Sequence, residues 1–237
     1  MEVNWPLRKG NILVVDDDED ILLLVSSALK SRGFNIITAS TGADGIRLCA
    51  TEQPDLVILD IELPDRDGIE VCQEIRRNNV MPIIFLTVRN EETDIVLGLG
   101  VGADYYITKP FRVSELIAGV EAALRRETVY AERKRHRNVL QIRDLYLDLT
   151  AFEVRKAGKP VQLTTTEFRL LKTLAEHPDQ VFTRDQLLDH VWDLKADGIY
   201  TRTVDVHVGR LRKKVEDDPS RPEYIVTVAG LGYKMPS

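Results

Sequence analysis

The sequence predicts an α/β fold for its first half, a doubly wound five-stranded parallel sheet, followed by a smaller domain of short antiparallel strands and three helices. Three observations support this. Five short apolar runs rich in Val and Ile recur between Asn11 and Leu124, the pattern of strands buried on both faces. Helical patterns alternate with them, and such β-α units place helices on both faces of one sheet. Beyond a charged stretch, Arg125 to Asn138, the chain changes to strand-like pieces with Gly158 at a turn and then to helical segments.

The five runs are Ile12–Val15, Ile36–Ala39, Leu56–Leu59, Ile83–Leu86 and Tyr105–Ile107. Helical patterns span Ile21–Ser31, Gly42–Thr51, Gly68–Arg77, Glu91–Gly100 and Val113–Arg126. In the last of these Leu116, Val120 and Leu124 recur every four residues, the spacing of one buried stripe. In the second half Val139–Leu149, Glu153–Lys156 and Val161–Leu163 read as strands, and Glu167–Glu176, Arg184–Val191 and Thr201–Val215 as helices. Tyr224–Lys234 closes the chain with two strand-like pieces around Gly230 and Gly232. The expected domains are residues 10–126 and 139–237, with 127–138 as a linker.

A length of 237 residues suits two domains, and the net charge of -6 hides a division between them. Residues 1–124 carry 11 Lys+Arg against 21 Asp+Glu, whereas residues 137–237 carry 16 against 15. An acidic half joined to a weakly basic half points to two different tasks. No apolar stretch reaches membrane-spanning length and no secretory leader is evident, so a cytoplasmic location is expected. Cys49 and Cys72 are the only cysteines. Two thiols inside helical patterns argue against a disulfide framework, cannot alone make a structural zinc site, and read as small buried hydrophobes.

The acidic half concentrates its chemistry at the strand ends. Asp16 and Asp17 follow the first run, Asp60 the third, Thr87 the fourth and Lys109 the fifth. In a parallel sheet those carboxyl ends share one edge, so residues distant in sequence become neighbours. Clustered carboxylates repel unless a cation bridges them, and an all-oxygen set suits Mg²⁺. A carboxylate can attack phosphorus to give an acyl phosphate, a reaction that needs positioning and neutralised oxygen charge. Mg²⁺ held by Asp17 and Asp60, with Asp16 acting through water, would supply part of that charge. Lys109 adds a second positive centre, and the Thr87 hydroxyl can hydrogen-bond the new phosphoryl group. Each residue alone has a plainer reading: the acidic run from Asp16 to Asp20 suits a solvated helix cap, and Thr87 could cap a helix.

The segments VVDDDED, LVILDIELPDRDG, PIIFLT and GADYYITKPF resemble the receiver domain of two-component response regulators, a flavodoxin-like fold. The resemblance implies Asp60 as phospho-acceptor from a sensor histidine kinase and Asp16 and Asp17 as the acidic pair. It places Glu62 where a backbone carbonyl contacts the metal, and Thr87 and Lys109 as the signalling hydroxyl and phosphate-binding lysine. Pro110 falls where the family has a cis peptide, and Tyr106 matches the aromatic that turns inward with the threonine.

In the second half, TRTVDVHVGRLRKKV sets Val204, Val208, Leu211 and Val215 on one buried face. Arg202, Arg210, Arg212, Lys213 and Lys214 remain for other surfaces, a distribution that fits a phosphate groove but also many solvated helices. LTTTEFRLLKTLAEHPDQVFTRDQLLDHVW, RTVDVHVGRLRKK and TVAGLGYK resemble the winged helix-turn-helix effector domain of OmpR/PhoB-type regulators. That resemblance implies double-stranded DNA as partner and Thr201–Lys214 as the recognition helix. It offers Arg202, His207 and Arg210 for groove or backbone contact, and Arg212, Lys213 and Lys214 for phosphates. Trp192–Tyr200 matches a loop that can touch RNA polymerase. Tyr233 would anchor the wing, with Lys234 near phosphate.

The family also implies a symmetric dimer, formed on phosphorylation through interlocking charges on its fourth and fifth helices and fifth strand. Here Ile95, Gly100, Tyr105 and Gly119 stand where arginine, glutamate, aspartate and arginine are expected, and Asp104 remains. Self-association through an atypical face is the resulting expectation. Val88 replaces a small residue, and Ala229 an arginine of the wing. The function expected is thus a transcriptional regulator switched by phosphorylation, not a turnover enzyme. The alternatives are a DNA-binding regulator largely independent of phosphorylation and a Mg²⁺-dependent phosphatase or phosphotransferase.

Overall fold

The structure, a computed structural model, describes residues 10–124, 139–192 and 201–237, with Glu92, Thr201 and Arg202 described in backbone only. The chain divides into two compact units, Met1–Glu132 and Arg133–Ser237. The linker expected at 127–138 and residues 193–200 lie outside the described residues.

The first unit alternates β1 (Asn11–Val15), α1 (Glu19–Ser31), β2 (Asn35–Ala39), α2 (Gly42–Glu52), β3 (Leu56–Leu59), α3 (Gly68–Arg76), β4 (Ile83–Thr87), α4 (Glu92–Val101), β5 (Tyr105–Thr108) and α5 (Val113–Leu124). Its strands form one parallel sheet in the order β2-β1-β3-β4-β5. β3 and β4 are buried along their whole length, which is why they read as unbroken apolar runs. The acidic run resolves into separate tasks. Asp18 caps α1 by accepting from the N–H groups of Asp20 and Ile21, and Glu19 and Asp20 occupy the positive first turn. Asp16 and Asp17 are left at the strand end. Asp67 caps α3 in the same way, accepting from Ile69 at 2.8 Å.

Helix α4 differs from the others. It carries Ile95, Val96, Leu97, Leu99 and Val101, its cap Glu91 makes no side-chain hydrogen bond, and Val96 and Leu97 are exposed. Beyond its polar first turn, Glu92 to Asp94, the apolar side chains of α4 fall on more than one side and form no single buried stripe.

The second unit opens with β6 (Val139–Ile142), β7 (Leu145–Asp148), β8 (Glu153–Lys156) and β9 (Lys159–Val161), an antiparallel sheet in sequence order. The stretch Val139–Leu149 is therefore two strands, turned at Arg143, whose φ is 54°. The last strand begins earlier than expected and contains Pro160, which its edge position tolerates. Three helices follow, α6 (Thr165–Ala175), α7 (Arg184–Trp192) and α8 (Thr201–Val215). The strands β10 (Phe182–Thr183), β11 (Val226–Val228) and β12 (Gly232–Lys234) pair antiparallel in the order β10-β12-β11. β10 has two residues, too few for any periodicity.

α6 starts at a reciprocal cap in which Thr164 Oγ1 accepts from Glu167 N–H and Thr164 N–H donates to the Glu167 carboxylate. Val204, Val208, Leu211 and Val215 of α8 are all buried, the stripe their spacing predicts. Among the described residues no helix is long and apolar enough to cross a membrane. Cys49 and Cys72 are buried free thiols, and burial pushes the Cys49 pKa up.

Candidate functional site: an acidic pocket and a basic helix

The carboxyl ends of β1, β3, β4 and β5 meet at one edge of the sheet. Carboxylate oxygens of Asp16, Asp17 and Asp60 lie within 4.8 Å of one another. Asp16 and Asp60 are buried, Asp17 is exposed, and Thr87 is fully buried. Lys109 reaches in after β5, and its Nζ donates to Asp16 Oδ2 at 2.7 Å and to Asp60 Oδ2 at 2.6 Å. The second oxygen of Asp60 accepts from Ile61 N–H at 2.6 Å and Glu62 N–H at 3.1 Å. Each oxygen of Asp60 is thus held by a donor. The peptide between Lys109 and Pro110 is cis.

Burial raises the Asp16 pKa above its ordinary value, although the hydrogen bond from Lys109 opposes this. For Lys109 burial works against the charge, yet its hydrogen bonds to Asp16 and Asp60 outweigh it and hold the pKa above the ordinary lysine value. Three carboxylates around one ammonium leave an excess of negative charge. That hard, all-oxygen donor set, with Asp17 open to solvent, fits Mg²⁺.

The loop after Asp60 is drawn tight. The Gly68 N–H donates to Ile61 O at 2.7 Å, and a Cβ on Gly68 would lie 2.0 Å from Asp60 O, so only glycine fits there. Asp65 turns outward to α2, accepting from the N–H groups of Gly42 and Ala43, which holds its pKa down. Arg89, two residues after Thr87, reaches back over this loop to Glu62 and Asp67, each at 3.4 Å. The Glu62 side chain, more than half exposed, meets Arg89 rather than the carboxylates of the pocket. Arg89 N–H donates to Thr87 Oγ1 at 3.4 Å, and Arg89 O accepts from the Tyr106 hydroxyl at 2.9 Å. Tyr106 is buried, with its ring edge-on to Phe85 and its hydroxyl pKa pushed up by burial.

Asp104 corrects an expectation. It was placed on the self-association face, but its side chain is fully buried and paired with Arg76 at 2.7 Å. It also accepts from Ile83 N–H, and Arg76 donates to Gly102 O and Met81 O. The pair fastens the end of α3 to the starts of β4 and β5. Tyr105 and Gly119 are buried as well, whereas Gly100 is exposed.

Among the described basic residues of α8, Lys213 and Lys214 are exposed, whereas Arg210 and Arg212 are drawn toward partners within the unit. His207 is withdrawn as a DNA contact: it is fully buried, edge-on to the ring of Trp192 at 5.1 Å, with Nδ1 at 2.9 Å from Thr203 O. Arg210, expected at the groove, has a side chain only 13% exposed and turned to Glu167 at 3.2 Å. Lys214 meets the other oxygen of Glu167 at 2.6 Å. Arg212, expected at phosphate, donates to Ile225 O and Thr227 Oγ1, which ties α8 to β11. Lys213 is exposed, and Lys234 is half-buried, 3.8 Å from Asp179. The Arg202 side chain lies outside the described residues.

Sequence reading missed the residues that organise this surface. Glu167 is a fully buried carboxylate that holds two cations of α8. Asp205 accepts from Arg184 at 2.7 Å and from the Tyr233 hydroxyl at 2.8 Å, while the guanidinium groups of Arg184 and Arg212 stack over the Tyr233 ring. Tyr233 thereby anchors the β11–β12 hairpin to α7 and α8. The apolar faces around Glu167 carried the only signal, because an acid in the sequence EFRLLKTL is flanked by residues that must face inward.

Comparison with known proteins agrees with both halves. The family model described as response regulator receiver domain matches residues 12–121, and that described as transcriptional regulatory protein, C terminal, matches residues 158–235. Among solved structures, the response regulator DrrB of Thermotoga maritima, an OmpR/PhoB homolog, is 36% identical over 97% of this chain and 100% of its own, with a TM-score of 0.50. A mutant of RitR is 25% identical over 95% of this chain and 98% of its own, with a TM-score of 0.73. A receiver domain joined to a winged-helix DNA-binding domain defines a transcriptional response regulator switched by phosphorylation. The chain belongs to the OmpR/PhoB response regulators.

Proposed function

We propose that Asp60 accepts a phosphoryl group from a sensor histidine kinase and that the resulting acyl phosphate sets the affinity of the second unit for specific double-stranded DNA. The supporting observation is the convergence of Asp16, Asp17, Asp60 and Lys109, with one ammonium bridging two buried carboxylates. Asp17 and Asp60, with Asp16 and the Glu62 carbonyl beside them, are the residues that would hold Mg²⁺. The ion, when bound, supplies positive charge that offsets the developing charge on the phosphoryl oxygens.

The chain's own residues do the rest. Ile61 and Glu62 N–H groups orient the Asp60 carboxylate. Lys109 neutralises it and is placed to follow the charge onto the phosphoryl group. Thr87 offers a buried hydroxyl one strand away, and Tyr106 relays its position through Arg89. Phosphorylation adds about -1.5 to -2 charge to this pocket. Each event is stoichiometric, with one acceptor consumed and no turnover of a free substrate.

On the DNA side we assign Lys213, Lys234 and Arg202 to phosphate or groove contact, and α8 to the major groove. We assign Trp192–Tyr200 as the loop that can touch RNA polymerase. The buried free thiols suit a cytoplasmic setting. A second reading concerns assembly. With Asp104 internal and Gly100 and Ile95 on α4, self-association would use apolar surface in place of interlocking charges, and could be less dependent on phosphorylation.

Intact mass after treatment with a small-molecule phosphodonor and Mg²⁺ tests the acceptor. One phosphoryl group on the wild type and none on Asp60→Asn is expected; equal incorporation in both overturns the assignment. Turnover of a small phosphoester would favour an enzyme instead.

A further inference from the structure

Helix α4 contains two interior glycines with opposite surroundings. A Cβ on Gly98 would lie 3.0 Å from Tyr106 Cε2 and 3.1 Å from Phe85 Cδ2, closer than side chains normally approach, whereas a Cβ on Gly100 meets nothing within 4 Å. Gly98 is buried and is not among the residues of positive φ, so neither a turn nor a left-handed backbone accounts for it. Glycine is also a poorer helix former than alanine. What Gly98 provides is room for two rings.

Those rings belong to the switch. Phe85 and Tyr106 meet edge-on with centroids 5.9 Å apart, and the Tyr106 hydroxyl ends on the carbonyl of Arg89. Arg89 is in turn strapped by Glu62 and Asp67 to the loop that leaves Asp60. A continuous line of contacts therefore runs from the acceptor loop through Arg89 and Tyr106 to the backbone of α4.

We infer that Gly98 is a positioning residue of the switch: its missing Cβ lets α4 close on the inward ring of Tyr106, so that ring position and α4 position change together. This rests on the reading of Tyr106 as the switching aromatic. The consequence is that the apolar surface of α4, Val96 and Leu97 included, shifts with the state of Tyr106 rather than with Thr87 directly.

The paired glycines make the test. Full-length protein carrying 3-fluorotyrosine at position 106 reports the inward-to-outward ratio of the ring by fluorine NMR. It is measured before and after loading with a phosphodonor and Mg²⁺, with loading verified by mass. Gly98→Ala and Gly100→Ala both improve α4 as a helix, so an effect through helix stability moves both alike. Overpacking at Gly98 should lower the inward ratio about tenfold relative to Gly100→Ala. Adding Phe85→Leu to Gly98→Ala opens the crowded site and should restore the ratio, which simple helix damage would not allow. Equal ratios in the two glycine variants, or no recovery with Phe85→Leu, overturn the inference. A wild-type ring that ignores loading sinks the underlying reading of Tyr106 instead, and with it the switch role of Gly98.

Discussion

The two units treat their charged residues in opposite ways. In the receiver, carboxylates scattered over the sequence are gathered at one edge of the sheet, where Asp16 and Asp60 are buried around a single lysine. In the DNA-binding unit, three neighbouring cations of α8, Arg210, Arg212 and Lys214, are dispersed onto separate partners within the unit, Glu167, Ile225 and Thr227, while Lys213 stays exposed. Concentrated like charge is unfavourable in a folded protein, so its persistence in the receiver marks chemistry. Dispersed, paired charge is structural until shown otherwise.

The largest expected effect lies in the pocket. Asp60→Asn should abolish phosphoryl incorporation, whereas Asp18→Asn, a residue of the same acidic run that only caps α1, should leave incorporation intact. Capping changes of that kind are worth about 1 kcal/mol or less in stability. Loss of incorporation in both would mean that the run acts as one cluster.

Next is Glu167. Removing the buried carboxylate leaves Arg210 without its charge partner and breaks the α6 cap, so Glu167→Ala should destabilise the second unit by about 3–5 kcal/mol in chemical denaturation. Lys213→Ala, on the exposed side of the same helix, should stay within about 0.5 kcal/mol of wild type. Similar values for the two would return Arg210 and Lys214 to the DNA surface.

The pH dependence separates the units further. Lys109 has a folded pKa above its ordinary value of 10.5, so its contribution is fully present below that value and is lost as pH rises through the folded pKa. Asp16, raised by burial above its ordinary 3.8, behaves oppositely to a stabilising carboxylate: the receiver gains from its protonation as pH falls through the folded pKa, and bears the ionised form above it. Thermal unfolding of wild type and Lys109→Met from neutral to alkaline pH should therefore converge at the alkaline end. Parallel curves would remove Lys109 from the balance.

The smallest effect is on salt dependence. Lys213→Gln should reduce the slope of log affinity for DNA against log salt by about 0.9, the value of one phosphate contact. Arg210→Gln, turned inward to Glu167, should leave the slope unchanged.

The same contrast explains how much was legible in the sequence. The receiver sheet could be read because strands such as Leu56–Leu59 are continuous apolar runs, and because parallel topology puts all carboxyl ends together without further information. The pocket followed from that rule alone. Interlocks made by a single long side chain could not be read: Arg76 with Asp104, Arg89 with Glu62 and Asp67, and Glu167 with Arg210 and Lys214 all join segments whose distance in space no periodicity encodes. His207 misled for a different reason. A histidine amid basic residues looks exposed, yet it lies three residues after Val204 and four before Leu211, so the helical spacing already placed it on the buried face, where it meets Trp192. Asp104 looked like a surface charge because its buried partner is 28 residues away.

The central claim, that chemistry at Asp60 controls DNA binding by the second unit, is tested most directly by affinity for a DNA sequence selected by the protein from a random pool. Wild type, wild type treated with phosphodonor and Mg²⁺, and Asp60→Asn treated identically are compared at fixed salt. Tighter binding by the treated wild type, with no change in treated Asp60→Asn, is the predicted result. Equal affinity in all three would contradict it and leave a DNA-binding protein whose receiver pocket serves another end.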